Sequence, residues 1–242
     1  MKCGRVPAGA FGALGAVSVL TALLMAVILL MALTPSVMLR QMRECAPPDN
    51  TGLPEAEYPG MADMITGYLA GRTDTFQYVF EGADGVRYQC FRENERKHMA
   101  DCRALTDSAR RVLWLSLSCA VLFFAAGLIL QRVTNRNAAH AYAVFWRGFS
   151  AGAAVVLVCF AAIAVWAATD FESLFTAFHR AAFRNELWLL EPRTSLLIRL
   201  MPTRFFTRYG LIGGGIFAGV SALLAAAAIM IRRRIEGKKH GI

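Results

Sequence analysis

Residues 17–33 read VSVLTALLMAVILLMAL, an apolar run interrupted only by Ser18 and Thr21, inside a longer stretch (6–39) that carries no charge. A helix needs roughly 20 apolar residues to cross the hydrocarbon core, so this stretch predicts a membrane span. Three further segments of that kind follow, centred on 112–130, 148–169 and 209–231. The chain has 242 residues, 56% hydrophobic and 18% charged, where an ordinary soluble domain carries about 25% charge. That composition excludes a disordered chain, a collagen-like fibre and, with six cysteines, a disulfide-stapled miniprotein. The expectation is a mainly α membrane protein, a four-helix transmembrane bundle with spans at 8–34, 111–131, 148–169 and 209–231. A small α+β cap would occupy 35–110, a short loop 132–147, an interfacial aromatic helical segment 170–208, and a tail 232–242.

The net charge of +9 would suggest nucleic acid in a soluble protein, but here its distribution reports topology. The N-terminal tail, the loop after the second span and the C-terminal tail hold 10 basic residues and one acid, Glu236. The cap region 34–111 holds 10 basic and 12 acidic residues, and 170–208 holds 6 and 4. The positive-inside rule therefore puts both termini in the cytoplasm and the two longer connections outside. In a bacterium that outer side lies outside the plasma membrane, and nothing resembles a mitochondrial or plastid transit peptide. Lys2 and Arg5 before an apolar run also suit a signal peptide, but the run exceeds the ~7–15 residues of a signal core and no cleavage or lipobox site closes it. Arg232, Arg233, Arg234, Lys238 and Lys239 read as a stop-transfer anchor, not as a nucleic-acid site. Gly148-x-x-x-Gly152 and Gly213-Gly214-Gly215-x-x-x-Gly219 read as close helix packing.

The cap opens with CAPPDNTG at 45–52, a turn-forming stretch. Met61, Met64, Ile65, Tyr68 and Leu69 at helical spacing predict one amphipathic helix. Residues 76–80 and 86–91, about a turn at Asp84-Gly85, predict a hairpin with alternating apolar residues. From Glu93 onward the pattern is helical again. Three cysteines lie on the outer side, Cys45, Cys90 and Cys102; an odd count suggests one disulfide and one free thiol. Cys45 with Cys90 is the preferred bridge because it closes the loop of the cap, although free thiols throughout are the alternative. In 170–208, Phe171, Leu174, Phe175, Phe178, Ala182 and Phe183 recur at three and four residues, which predicts a helix lying along the membrane surface. Its aromatics suit an interfacial belt or the wall of an acyl-chain pocket.

Of four histidines, His140 and His240 belong to the inner side, while His98 and His179 share the outer one. An imidazole titrating near 6.5 suits proton transfer at neutral pH. Glu95, His98 and Asp101 are spaced by three, so a helix lines them along one face and either acid could orient the ring. The trio lacks the His-Glu-x-x-His pattern of a zinc site, and no metal is expected. Cys102 follows His98 by four and could form a thiolate dyad, although burial as a small hydrophobe is the simpler reading. No Gly-x-Ser-x-Gly elbow, phosphate loop or dinucleotide fingerprint is present, so acyl transfer here would work without a serine nucleophile.

At these residues the chain resembles a family of bacterial four-span membrane proteins, the lipoprotein intramolecular transacylases. FRENERKHMAD at 91–101 resembles the family's Glu-x-x-His-Met-x-Asp motif. FHRAAFRNELW at 178–188, followed by Leu197-Ile198 and PTRFF at 202–206, resembles its second motif. The chain departs from the pattern at Ala182, where a phenylalanine is frequent, at Ser195, where an acid commonly precedes the Leu-Ile pair, and at Cys102, where valine is usual.

The resemblance implies transfer of the sn-2 acyl chain of a diacylglyceryl-modified lipoprotein onto the α-amino group of its own N-terminal cysteine. It implies that His98 and His179 serve as base and as acid or oxyanion stabiliser, in an order the sequence does not fix. Glu95 and Asp101 would orient His98, and Asn185 would support the site. Met99, Phe175, Phe178, Phe183 and Trp188, with Phe205 and Phe206, would form the substrate pocket. No cofactor and no nucleic acid are implied; the partners are the lipoprotein substrate and membrane lipids. Two other classes fit the composition. A non-enzymatic assembly or chaperone protein would bind a partner through the cap, and a lipid hydrolase would differ only in using water as acceptor.

Overall fold

The structure is a computed structural model and describes residues 8–82, 84–134 and 138–237. Lys2, Arg5, Arg136, Lys238, Lys239 and His240, used above to read topology, lie outside the described residues. The chain divides into two compact units, one made of Met1–Ala26, Arg111–Val165 and Gly215–Ile242, the other of Val27–Arg110 and Trp166–Gly214. Four helices are long and apolar enough to span a membrane: α1 (Ala8–Leu33), α5 (Glu93–Thr134), α6 (Ala138–Thr169) and α9 (Thr203–Gly237). The protein is a multi-pass membrane protein. The helices of the second, third and fourth spans extend beyond the apolar stretch, whereas α1 ends at Leu33, just before Pro35. Thus the cap's last helix and the second span are one element of 42 residues, and residues 138–147, expected as loop, are the first turns of α6.

In the first unit, glycine permits the close crossing of α1 and α6. A Cβ on Gly148 would meet the backbone of Gly9, one on Gly152 the backbone of Ala13, and one on Gly12 the backbone of Phe145. The packing reading of Gly148 and Gly152 is therefore right. Around this crossing Ala16, Leu20, Phe149, Ala153, Phe217 and Ala228 form the buried cluster. Leu115 and Val121 on α5, Val158 on α6 and Leu223 on α9 are exposed, as lipid-facing positions are. Gly215 and Gly219, by contrast, meet nothing.

The second unit contains α2 (Pro35–Cys45), α3 (Pro48–Thr51), a 3-10 turn (Glu55–Glu57), α4 (Tyr58–Ala70), strands β1 (Val79–Glu81) and β2 (Arg87–Gln89), α7 (Phe171–Ala182) and α8 (Leu196–Leu200). Its core gathers Met42, Leu53, Tyr58, Met61, Ile65, Leu200 and Phe205. Tyr58 keeps its hydroxyl satisfied inside that core by donating to the Ala46 carbonyl and pairing with Thr51 Oγ1. The predicted cap helix is α4. It ends at Gly71, whose φ of 78° suits glycine and lets Arg72 N–H return to the Gly67 carbonyl.

The hairpin forms in the predicted place, with Phe80 opposite Tyr88 in an antiparallel pair, but its strands are short and largely exposed. Burial is concentrated at its root instead, where Phe76 and Phe91 meet at 4.5 Å and Gln77 bonds both the N–H and the carbonyl of Phe91. The expected Cys45–Cys90 disulfide is absent; both thiols are free. Cys45 ends α2 buried, 3.9 Å from Gln41 Oε1, while Cys90 follows β2, where its N–H bonds the Tyr78 carbonyl.

Candidate active site

The site belongs to the second unit and is built on two helices. Asp170 caps α7 by accepting from Ser173 N–H at 3.0 Å, and the apolar stripe of that helix then carries Phe171, Phe175 and Phe178 beside His179. Positions 175 and 179 are one turn apart, so their rings meet at 4.0 Å. His179 Nδ1 lies 2.8 Å from the Phe175 carbonyl. A carbonyl only accepts, so this bond assigns the proton to Nδ1 and leaves Nε2 with a free lone pair.

His98 comes from the first turns of α5. Its ring centroid is 6.3 Å from that of His179, and both histidines are only 8% exposed. His98 Nε2 stands 3.6 Å from Cys102 Sγ; its Nδ1 is buried with no hydrogen-bond partner among the described residues. An unmatched buried polar atom is costly and is a mark of a group waiting for a ligand. Burial, then the neighbouring His179, hold the His98 pKa down to about 4, against a smaller opposite pull from Asp101. Burial also lowers that of His179, with the Phe175 carbonyl opposing. Both imidazoles are therefore neutral at neutral pH, the form in which one nitrogen accepts a proton and the other donates.

Aromatic rings enclose the pair. Phe183 lies 5.2 Å from His98 and 5.5 Å from His179, with Trp188 at 5.0 Å and Phe178 at 5.4 Å from His179. Phe206 reaches this group through Phe175 at 5.2 Å. Phe205 lies one ring further back, 5.3 Å from Phe206, buried in the core and stacked on Tyr209 at 4.6 Å. Met99 likewise packs in the core of the unit. On its polar side α7 borders an open cleft of about 420 Å³, along Asp170, Glu172, Ser173, Thr176, Ala177 and Arg180.

Neither acid orients His98. Glu95 Oε2 accepts from Arg92 N–H at 2.7 Å, the return bond of a capping box. Its Oε1 accepts from Ser195 Oγ at 2.6 Å and Leu197 N–H at 2.9 Å. The carboxylate thus ties the start of α5 to the cap of α8, with Ser195 also receiving Ile198 N–H. Asp101 Oδ2 accepts from Asn185 Nδ2 at 2.9 Å, and Asn185 Oδ1 accepts from Leu187 N–H at 3.0 Å. Ser195 escaped the sequence reading as a site-building residue, although a serine before Leu-Leu-Ile is a helix-capping signal. Cys102 is no thiolate: burial, with the Asp101 charge adding, pushes its thiol up to about 12. Among the described residues no three His, Cys, Asp or Glu side chains converge as a metal-ligand set.

A search of curated protein sequences returns no match. Among solved structures, the membrane integral lipoprotein intramolecular transacylase of Bacillus cereus superposes with a TM-score of 0.64 at 20% identity, over 94% of this chain and 96% of that one. Two variants of that protein, with histidine replaced by arginine or by alanine, superpose with TM-scores of 0.64 and 0.60 at 17% and 18% identity. They cover 95% and 94% of this chain, and 92% and 94% of their own. At such identity the likeness is one of fold. The model of the lipoprotein intramolecular transacylase (Lit) family matches residues 13–206, most of the chain, and the protein therefore belongs to that family of membrane acyltransferases.

Proposed function

We propose that this acyltransferase moves the sn-2 acyl chain of a diacylglyceryl lipoprotein to the α-amino group of the same molecule's N-terminal cysteine. The observation that carries the reading is the pair of buried neutral imidazoles 6.3 Å apart, each with one ring nitrogen that the protein leaves unbonded. That spacing lets both reach one reacting centre.

The amine nitrogen attacks the ester carbonyl carbon while His179 Nε2 accepts its proton. His98, with its proton on Nδ1 and the Cys102 thiol donating to Nε2, gives Nδ1–H to the oxyanion. Collapse expels the glycerol oxygen, which takes the proton back from His179, leaving an amide and a free hydroxyl. General base assistance supplies roughly 10²–10⁴-fold and an oxyanion donor roughly 10²–10³-fold. Because donor and acceptor share one molecule, holding it folded raises their effective concentration further, and the rings of Phe178, Phe183 and Trp188 supply an apolar enclosure for doing so. Both termini lie in the cytoplasm in this reading, with the site on the outer face of a bacterial plasma membrane.

The test uses purified protein and a synthetic diacylglyceryl lipopeptide with different acyl chains at sn-1 and sn-2. A product of unchanged mass, bearing the sn-2 chain as an amide, is expected. Released fatty acid would instead indicate a hydrolase, and a lipopeptide left intact would reject acyl transfer.

A further inference from the structure

Asp101 stands three residues after His98, a spacing that suits an imidazole-orienting carboxylate, yet its bond runs to Asn185 at 2.9 Å. Asn185 in turn accepts from Leu187 N–H at 3.0 Å, which orients its amide toward one carboxylate oxygen in an exposed pair. The other oxygen, Oδ1, has no protein hydrogen bond among the described residues. A neutral amide positions a carboxylate without cancelling its charge, as an arginine or lysine would. On its own helix Asp101 acts on His98 and Cys102. Both are uncharged at neutral pH. From the segment after α7 it meets the neutral Asn185, whose chain neighbours Arg184 and Glu186 carry opposite charges. Glu95, the other nearby acid, is already occupied by three donors.

The transacylase reading, on which this inference rests, brings an α-amino group to the site, and at an unperturbed pKa of about 7.7–8.0 that group arrives mostly as ammonium. Neutral imidazoles and aromatic rings supply no countercharge. We propose that Asp101 docks the substrate's α-ammonium through Oδ1, placing it beside the histidines before transfer. The ammonium releases one proton to water to become the nucleophile. The second proton leaves during attack and ends on the glycerol oxygen, so the net products are an amide, a hydroxyl and one proton.

The test compares wild type and Asp101→Asn on a synthetic diacylglyceryl lipopeptide with a free N-terminal cysteine amine, with N-acyl product measured by mass spectrometry across pH. A charge-assisted bond to the amine predicts a KM for Asp101→Asn raised roughly tenfold near neutral pH, with a gap that narrows above about pH 8 as the free amine loses its charge. Asp101→Glu recovers part of the loss. Wild type alone gives a second measurement. A non-reactive ether-linked analogue with a free amine should inhibit about tenfold better than its desamino counterpart at neutral pH, and the two should converge at alkaline pH. A KM gap constant with pH, an unchanged KM, or equal inhibition by the two analogues overturns the docking role. Absence of N-acyl product with wild type rejects instead the transacylase reading.

Discussion

Glu95 and Ser195 meet at 2.6 Å across 100 positions of sequence, in a place where the carboxylate is 1% exposed. Their bond joins the helix that carries His98 to the segment that follows the aromatic wall. The carboxylate accepts from three donors, and the tie is built entirely from short-range caps: Arg92 and Glu95 at the start of α5, Ser195 and Leu197 at the start of α8.

Glu95→Ala removes the acceptor and orphans two N–H groups and a hydroxyl, so we expect a loss on the order of 3 kcal/mol. Ser195→Ala should cost about 1 kcal/mol. Thermal unfolding in detergent checks both. Ser195→Asp would face Glu95 with a second carboxylate, and one of the two must then hold a proton. Its folded pKa is raised above the unfolded value, so stability is retained at acid pH and lost as pH rises through that value.

Removing either imidazole should stop transfer. His98→Ala and His179→Ala are expected to lower N-acylation by at least about a hundredfold while the protein still extracts from membranes as a folded species. Cys102→Ala should keep activity within about threefold, because a thiol held near 12 is not a nucleophile at neutral pH. An acyl-thioester trapped on Cys102 would contradict this.

Burial of uncharged histidine predicts acid sensitivity. The unfolded chain protonates His98 near 6.5, whereas the folded one resists until about 4. Stability is therefore full above about pH 6.5 and falls through that window, by an amount on the order of 3 kcal/mol. His179 adds in the same direction. His98→Gln should flatten the decline between pH 6.5 and 4 in thermal unfolding curves; an unchanged slope would argue against a buried neutral His98.

Glycine substitutions separate tight from open helix faces. Gly148→Leu or Gly152→Leu forces a side chain into the backbone of α1 and should destabilise by about 2 kcal/mol or more. Gly215→Leu and Gly219→Leu meet open space and should be near neutral in the same detergent unfolding assay.

Much of this was readable in the chain because membrane spans and helix periodicity are local signals. The four spans, the helix through Met61 and Leu69 and the aromatic stripe of α7 follow from spacing of apolar side chains, whereas the rings of Phe178 and Trp188 beside His179 were implied by the family resemblance. Helix ends were harder: residues 138–147, expected as loop between charged flanks, are mostly apolar, contain nothing that breaks a helix and belong to α6. Long-range polar partners were not legible at all. Spacing puts Glu95 and Asp101 on the face of His98, but each acid takes a donor supplied from elsewhere in the chain, Ser195 and Asn185, and no local pattern reports that choice. The Cys45–Cys90 bridge failed for the same reason: a count of thiols gives no distance between them.

The central claim is intramolecular transfer, and a crossover experiment tests it most directly. Two diacylglyceryl lipopeptides of different peptide mass, one with isotope-labelled acyl chains, would be mixed with the purified protein and the N-terminal products read by mass spectrometry. The account predicts N-acylated peptides that each keep their own chains, with total masses unchanged. Labelled chains appearing on the unlabelled peptide, or peptides that stay diacylated on glycerol with free amines, would contradict it.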